Sequence, residues 1–309
     1  ELMALTEKDL WINIPHLATD EYVETLATFL QNELSDDRII YLEYSNELWN
    51  GIFQQNQDAA MMAADLGYTG DPWVLTWQFT AKRSADVFHI FETVFDNDDR
   101  IINIIPTQAA NSWISNQLIA YLNDTNYNPH GVAAEALAIA PYFGGEVANQ
   151  IADQNEVATI TIEEIVARMA LSLPQSFDWM FENQQVADDY GLDLIVYEGG
   201  QHLVGVGAPV NDDALTQKLI AANHHPDLQA VYCQYLDQWY AEHGGMFAHF
   251  SSHGRYVKWG SWGVKETMND FDNPKYLALQ NCVFETTSLY ENRVEDISNF
   301  TIYHNPARG

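Results

Sequence analysis

Basic residues are scarce in this 309-residue chain, which has 13 Lys and Arg against 44 Asp and Glu and a formal net charge of −31 at pH 7. A surface of that charge repels the phosphates of nucleic acids and the anionic lipids of membranes. Both are therefore poor partners, and a neutral ligand suits the surface better. Solubility in a salty medium, where ions screen the repulsion, is a second interpretation of the same charge.

Long apolar runs and cysteines are scarce as well. No run of about 18 apolar residues occurs, so the sequence predicts no membrane-spanning helix. The two cysteines, Cys233 and Cys282, are too few for a disulfide framework. Their apolar, helix-like surroundings favour two buried free thiols, and one helix-to-helix disulfide is the alternative.

Six short apolar runs are present, and each has the length and residue types of a buried strand. Helical patterns separate the runs, and this alternation predicts an α/β fold with a parallel sheet covered by helices. The loops after parallel strands open at the C-terminal edge of the sheet, where ligands bind. The six runs end near His16, Glu47, Gln108, Tyr142, Glu198 and Phe250.

Amphipathic stretches between these runs predict the helices. The first has its apolar residues on one face, at Tyr22, Leu26, Phe29 and Leu30. Near residues 162–190 the pattern predicts two separate helices. The main predicted helices cover residues 21–34, 51–66, 73–95, 162–173, 177–190, 213–224 and 274–284.

Glu47 is the first candidate for chemistry, because it follows a buried run within Ser45-Asn46-Glu47-Leu48-Trp49-Asn50. The alternative is a surface loop carboxylate, which is the common situation of an isolated glutamate. A second glutamate, Glu198, ends another run of the same kind. The two are far apart in sequence, so only the fold can bring them together, as in a barrel whose strands all end at one opening.

Two such glutamates are what glycoside hydrolysis requires. One carboxylic acid protonates the leaving oxygen, and the other carboxylate attacks the anomeric carbon. Carboxyl groups about 5 to 5.5 Å apart predict retention of configuration, whereas about 9 Å predicts inversion. For this chemistry one of the two glutamates must hold a proton near neutral pH while the other stays ionised.

The segments Ser45-Asn46-Glu47 and Tyr197-Glu198-Gly199 resemble the large clan of retaining glycoside hydrolases built on (β/α)8 barrels. Longer pieces are similar to a bacterial group of cellulase-like or cellulose-binding proteins, so the resemblance covers most of the chain. It implies a TIM (β/α)8 barrel over residues 1–290 and leaves residues 291–309 as a tail of unknown structure. The longer pieces are residues 11–20, 44–50, 259–263 and 274–275.

The resemblance also implies roles for individual residues. Glu47 would be the acid/base, Glu198 the nucleophile and Asn46 the partner of the sugar 2-hydroxyl. Tyr142 would hold the nucleophile, and Trp259 or Trp262 would form a stacking floor for the sugar; packing at the rim of the fold is the alternative for these rings. Further side chains expected either to contact sugar hydroxyls or to serve the structure are His16, Gln108, His202 and His249.

The activity implied is hydrolysis of a neutral β-glycan at the cell surface or outside the cell, with no metal and no cofactor. A fold does not fix a function. The alternative is therefore a non-catalytic carbohydrate-binding or structural extracellular protein on the same barrel.

Counting strands from Glu47 shows a departure from the clan. If Glu47 ends strand four, the run at Trp11 is strand three, so strands three to eight are present and the first two are lacking. An open six-stranded sheet exposes two edges. We therefore expect a missing N-terminal part, from the same polypeptide or from another chain, to complete the barrel.

Overall fold

The computed structural model describes residues 2–96 and 99–283. It is an α/β structure with a parallel six-stranded sheet, and its strands lie in the order β1 to β6. Parallel registers join each neighbouring pair from β1 to β5. The strands are β1 (Leu10–Ile14), β2 (Ile40–Tyr44), β3 (Ile101–Pro106), β4 (Ala136–Ile139), β5 (Asp193–Gly199) and β6 (Phe247–His249).

Helices occupy most of the connections between the strands. In the described part of the chain, no helix is both long and apolar enough to cross a membrane. A short 3-10 helix, Ala208–Asn211, and a π-helical turn, Leu279–Val283, complete the elements. The α-helices are α1 (Leu2–Thr6), α2 (Asp20–Glu33), α3 (Gln54–Asp65), α4 (Pro72–Val94), α5 (Ser112–Leu122), α6 (Val147–Asp153), α7 (Ile162–Tyr190), α8 (Asp213–Asn223), α9 (Leu228–Glu242) and α10 (Pro274–Ala278).

The chain divides into two compact units. The first comprises residues 1–140 and 178–197, and the second comprises residues 141–177 and 198–309. The predicted tail, residues 291–309, lies outside the described residues.

The core of the first unit forms between the sheet and helix α4. Ile40, Leu42 and Tyr44 of β2 are fully buried, as are Phe88 and Phe91 of α4. Helix α4 packs against α2, α3 and α5. The predicted helix over residues 73–95 is thus confirmed.

An aromatic core fills the second unit. Tyr232, Tyr235 and Trp239 of α9 are fully buried. The ring of Phe143 lies 5.3 Å from Tyr232 and 4.9 Å from Tyr235 between centroids. The Tyr235 hydroxyl donates to the Pro141 carbonyl at 2.9 Å, which gives its buried O–H a partner.

The strand predictions are confirmed, since all six apolar runs form strands. The predicted apolar face of α2 is wrong at Tyr22 and Phe29 and is confirmed at Leu30. Its buried residues are Val23, Ala27 and Leu30, whereas Tyr22 is 49% exposed and Phe29 is 56% exposed. The buried stripe follows the i, i+4, i+7 spacing of one helix face, and α2 packs against α4.

The prediction of two helices over residues 162–190 is also wrong, because α7 continues through Pro174. A proline within a helix removes one backbone hydrogen bond and costs about 3 kcal/mol. Buried side chains lie on both sides of it: Met169 and Leu173 precede Pro174, and Met180 follows it. Full burial of each stabilises the helix by about 1.5 to 3 kcal/mol, so together they offset the cost.

The cysteines form a disulfide, so the favoured prediction of free thiols is wrong. Cys233 of α9 is bonded to Cys282 in the π-helical turn, with Cα atoms 5.4 Å apart. The sequence separation of 49 residues hid this proximity. The predicted closing helix is α10 followed by that turn, and its last predicted residue, 284, lies outside the described residues.

Candidate active-site residues

The loop that carries Glu47 has an unusual backbone. Ser45 and Glu47 have φ angles of 64° and 47°, in the left-handed region that residues other than glycine rarely adopt. Side-chain amides hold the loop, since Gln55 Nε2 donates to the Asn46 carbonyl at 3.1 Å and Asn56 Nδ2 donates to the Leu48 carbonyl at 2.6 Å. Such backbone strain is concentrated at functional sites in proteins, which supports a role for this loop.

The Glu47 carboxyl is half-buried and has two hydrogen-bonding neighbours in the first unit. Asn50 Nδ2 donates to Oε2 at 3.0 Å, and the Tyr197 hydroxyl lies 3.5 Å from Oε1. Burial raises the pKa of the Glu47 carboxyl above its usual range, and the hydrogen bonds from Asn50 and Tyr197 reduce that rise. A raised pKa is what a general acid needs in order to hold its proton toward neutral pH.

Glu198, in the second unit, lies at the end of β5 and has a different environment. The Tyr142 hydroxyl donates a hydrogen bond to its Oε2 at 3.0 Å. A donated hydrogen bond favours the ionised carboxylate. The next residue must be glycine, because a Cβ at Gly199 would lie 2.3 Å from Phe247 Cζ.

Aromatic rings surround Tyr142 in the second unit. The Trp262 ring lies 5.9 Å from the Tyr142 ring and 5.0 Å from the His202 ring between centroids, and 6.0 Å from Phe250. A Cβ at Gly260 would lie 2.3 Å from Trp262 Cε2, so glycine is required for the tryptophan to fold back on its own loop. Glu198 therefore has an aromatic cluster beside it, joined to it through Tyr142.

The Trp262 loop is fastened at the carbonyl of Ser261. Lys275 Nζ donates to this oxygen at 2.5 Å, and Gln201 Nε2 donates to it at 2.8 Å. Lys275 is fully buried, and burial holds the pKa of its amine well below the usual range. Because Gln201 is three residues beyond Glu198, these bonds tie the Trp262 loop to the Glu198 loop.

Trp259 differs from Trp262 in exposure. Its side chain is 64% exposed, with Lys258 Nζ 4.7 Å from the ring centroid. Its carbonyl accepts a hydrogen bond from Trp262 Nε1 at 2.9 Å. The two predicted stacking residues are thus joined directly, and Trp262 is the one whose ring contacts Tyr142.

Two histidines of the second unit have imidazole rings whose burial disfavours the charged form. Burial lowers the pKa of His202 and lowers that of His249 to about 3. The Nδ1 atom of each is buried without a hydrogen-bond partner among the described residues. His249 Nε2 lies 3.3 Å from the Tyr232 hydroxyl, a contact that fits a structural role.

The remaining predicted residues lie after strands of the first unit. His16 Nε2 lies 3.0 Å from Asp58 Oδ2, so this histidine has a partner on α3. Gln108 is half-buried after β3, and its carbonyl accepts a hydrogen bond from the Asn111 amide at 3.1 Å. Asn46 is half-buried next to Glu47.

Sequence reasoning missed the side chains that determine the surroundings of the two carboxylates. Asn50 stands in the Glu47 stretch, and Tyr197 precedes Glu198, yet no spacing rule shows that both side chains approach Glu47. Lys275 was noted only as part of a sequence resemblance, and its burial was not expected, because a lysine is seldom fully buried. Within residues 2–96 and 99–283 no group of three or more His, Cys, Asp and Glu side chains is placed to hold a metal ion.

Comparison of the chain with models of known protein families, with curated proteins and with solved structures finds no match. The resemblance to retaining glycoside hydrolases therefore stays a prediction from the sequence motifs. A function for the chain has to be argued from the chemistry of Glu47 and Glu198.

Proposed function

We propose that this chain carries the catalytic residues of a retaining β-glycoside hydrolase, with Glu47 as acid/base and Glu198 as nucleophile. The observation that carries the proposal is that two strand-end glutamates have different surroundings. Burial raises the pKa of Glu47, whereas Glu198 accepts a hydrogen bond from Tyr142. Two carboxyl groups whose surroundings favour different protonation states are the mark of an acid/base pair.

The reaction then has two steps. In the first, a Glu198 oxygen attacks the anomeric carbon while Glu47 gives its proton to the leaving oxygen. In the second, Glu47 takes a proton from water, the water attacks the same carbon, and Glu198 leaves as a carboxylate. Tyr142 orients Glu198, Asn46 binds the 2-hydroxyl, and Trp262 stacks on the sugar held there.

The proposal includes the barrel: the six strands are strands three to eight of a TIM barrel. The substrate is a neutral β-glycan, which the acidic surface does not repel. The Cys233–Cys282 disulfide supports an extracellular or cell-surface location, because disulfides persist in oxidising compartments.

The experiment is a turnover assay on nitrophenyl β-glycosides and neutral β-glycans with the wild-type chain and Glu198→Gln. The variant keeps the shape of the side chain but removes the nucleophile, so turnover falls about 10⁴-fold or more. Glu146→Gln, at an exposed position of the second unit, is the matched control and keeps full activity.

Equal turnover by the wild type and Glu198→Gln would defeat the enzyme proposal. Glycan binding without turnover in the wild type would instead support the non-catalytic carbohydrate-binding alternative. Thermal unfolding of each variant shows whether a loss of rate reflects chemistry or folding.

A further inference from the structure

Three tryptophans of the first unit form a cluster outside the residues discussed so far. Trp73 and Trp77 lie on the first turns of α4, and Trp113 lies on the first turn of α5. Their ring centroids are 4.7 Å apart for Trp73 and Trp77, 5.3 Å for Trp77 and Trp113, and 6.0 Å for Trp73 and Trp113. We call these three residues the tryptophan platform.

The platform is only partly a core feature. Trp77 is buried, with 6% of its surface exposed, whereas Trp73 is 47% exposed and Trp113 is 49% exposed. Single exposed aromatic side chains are common, but clustered ones mark binding surfaces. Trp77 is thus the buried ring against which the two half-exposed indole rings pack.

Hydrogen bonds connect the platform to the loop of Glu47. Asn56 Nδ2 donates to the carbonyl of Leu48, the residue after Glu47, at 2.6 Å. Asn56 in turn accepts at its own carbonyl a hydrogen bond of 3.1 Å from Thr76 Oγ1. Thr76 precedes Trp77 on α4, so one asparagine bridges the Glu47 loop and the platform.

The platform also lies at the C-terminal end of β3. Ser115, two residues after Trp113, has its Oγ 3.1 Å from Oγ1 of Thr107, which directly follows the last residue of that strand. Glu47 follows the neighbouring strand β2. The exposed indole rings and Glu47 therefore belong to the same edge of the sheet.

A neutral sugar chain is the ligand that this surface fits best. The faces of pyranose rings present C–H groups that pack on flat indole rings, and an indole N–H serves the hydroxyls at the ring edge. An anionic ligand is disfavoured by a chain with a net charge of −31. Amide side chains, which suit hydroxyl groups, precede Trp113 at Gln108 and Asn111.

We infer that the tryptophan platform is a glycan-binding subsite on the leaving-group side of the cleaved bond. The leaving-group side is assigned from the role of Glu47, and this step rests on the proposed function. The acid/base protonates the leaving oxygen, so sugars next to the Glu47 loop belong to the leaving group. The substrate class is then a chain of several neutral β-linked sugars, because a subsite beyond the cleaved bond serves a ligand that extends past it.

The test separates binding from turnover. In the Glu198→Gln background, calorimetry measures the Kd of β-1,4-linked hexaoses of glucose, xylose and mannose for the parent and for Trp73→Ala/Trp113→Ala. We expect the Kd of the preferred hexaose to rise by about tenfold to a hundredfold, since stacking on both rings is lost. Phe29→Ala, at an exposed aromatic position on α2, is the matched control and leaves the Kd unchanged.

With Glu198 restored, the double tryptophan variant hydrolyses a β-glycosyl fluoride at the parent rate, because a fluoride leaving group is too small to occupy a subsite on the leaving-group side. An unchanged hexaose Kd, or an equal loss on the glycosyl fluoride, would overturn the inference. If the double alanine variant does not fold, the indole fluorescence of Trp73→Phe/Trp113→Phe is measured with and without the hexaose. A hexaose-induced change in indole emission as large as in the parent then overturns it.

The two proposals fail in different ways. Tryptophan-dependent binding of a hexaose without any turnover would remove the hydrolase assignment and leave a glycan-binding platform. Turnover with a hexaose Kd that does not depend on Trp73 and Trp113 would leave the hydrolase and remove the platform.

Discussion

Glu47 and Glu198 both follow buried strand residues, yet the chain surrounds them differently. The backbone at Glu47 is left-handed, and its half-buried carboxyl accepts a hydrogen bond from the amide of Asn50. Glu198 lies in extended backbone at the end of β5 and accepts a hydrogen bond from the Tyr142 hydroxyl, beside the ring of Trp262.

The difference concerns the influences that act on the protonation of a carboxyl group. Burial disfavours the charged form of a carboxyl group, and a donated hydrogen bond favours it. At Glu47 the effect of burial exceeds that of the hydrogen bonds, so the pKa rises. We propose that this imbalance selects Glu47 as the proton donor and leaves Glu198 as the nucleophile.

Replacing Glu47 gives the largest expected effect after that of Glu198→Gln. Glu47→Gln removes the proton donor, so turnover of substrates with a sugar leaving group falls by about 10² to 10⁴-fold. A dinitrophenyl leaving group needs no proton, so its release by Glu198 is far less affected. Rates over a series of aryl β-glycosides with rising leaving-group pKa measure the difference.

Glu24→Gln, an exposed position on α2, is the matched control for Glu47→Gln and shows no such dependence. The same fractional loss for every leaving group in Glu47→Gln would contradict the acid/base role.

Removing the hydroxyl of Tyr142 gives the next largest effect. In Tyr142→Phe the ionised Glu198 loses a hydrogen-bond donor, so the carboxylate becomes protonated at a higher pH. The acid limb of the kcat/KM profile therefore moves to higher pH, and kcat falls by about tenfold. A profile whose acid limb stays in place would show that Tyr142 does not act on the nucleophile.

Removing the amide of Asn50 gives the smallest effect, and this effect falls on the alkaline limb of the kcat/KM profile. The Asn50 hydrogen bond lowers the pKa of Glu47, so Asn50→Ala raises that pKa and moves the alkaline limb of kcat/KM to higher pH. The rate near neutral pH changes only a few-fold, because the Glu47 carboxyl itself is retained. The matched control is Asn32→Ala, at an exposed amide on α2, and it leaves both limbs unchanged. A shifted acid limb in Asn50→Ala would contradict the assignment and exchange the roles of the two glutamates.

The strands were predictable from the sequence because buried parallel strands are short, continuous apolar runs that end at polar residues. The buried face of α2 and the continuity of α7 through Pro174 were not predictable from the sequence. Small side chains such as Ala27 contribute little to an apolar pattern although they allow close packing, and a buried stripe on both sides of Pro174 overrides a local helix breaker.

In the candidate site, the sequence alone singles out the two carboxylates. A glutamate directly after a buried strand is visible in sequence, but the groups that tune it come from elsewhere in the fold. Tyr142 and Glu198 are 56 residues apart, and Trp73 and Trp113 are joined only through the packing of α4 on α5. Such contacts depend on tertiary structure, which no local pattern encodes.

Azide rescue tests the central claim most directly, because it assigns each glutamate to one face of the sugar. With azide and a dinitrophenyl β-glycoside, Glu198→Ala leaves room for azide to attack in place of the nucleophile, and the product is the α-glycosyl azide. In Glu47→Ala, azide attacks the glycosyl–Glu198 ester, and the product is the β-glycosyl azide. NMR of the two products decides: α from Glu198→Ala and β from Glu47→Ala is the predicted result, and the same anomer from both variants, or the reverse assignment, would contradict it.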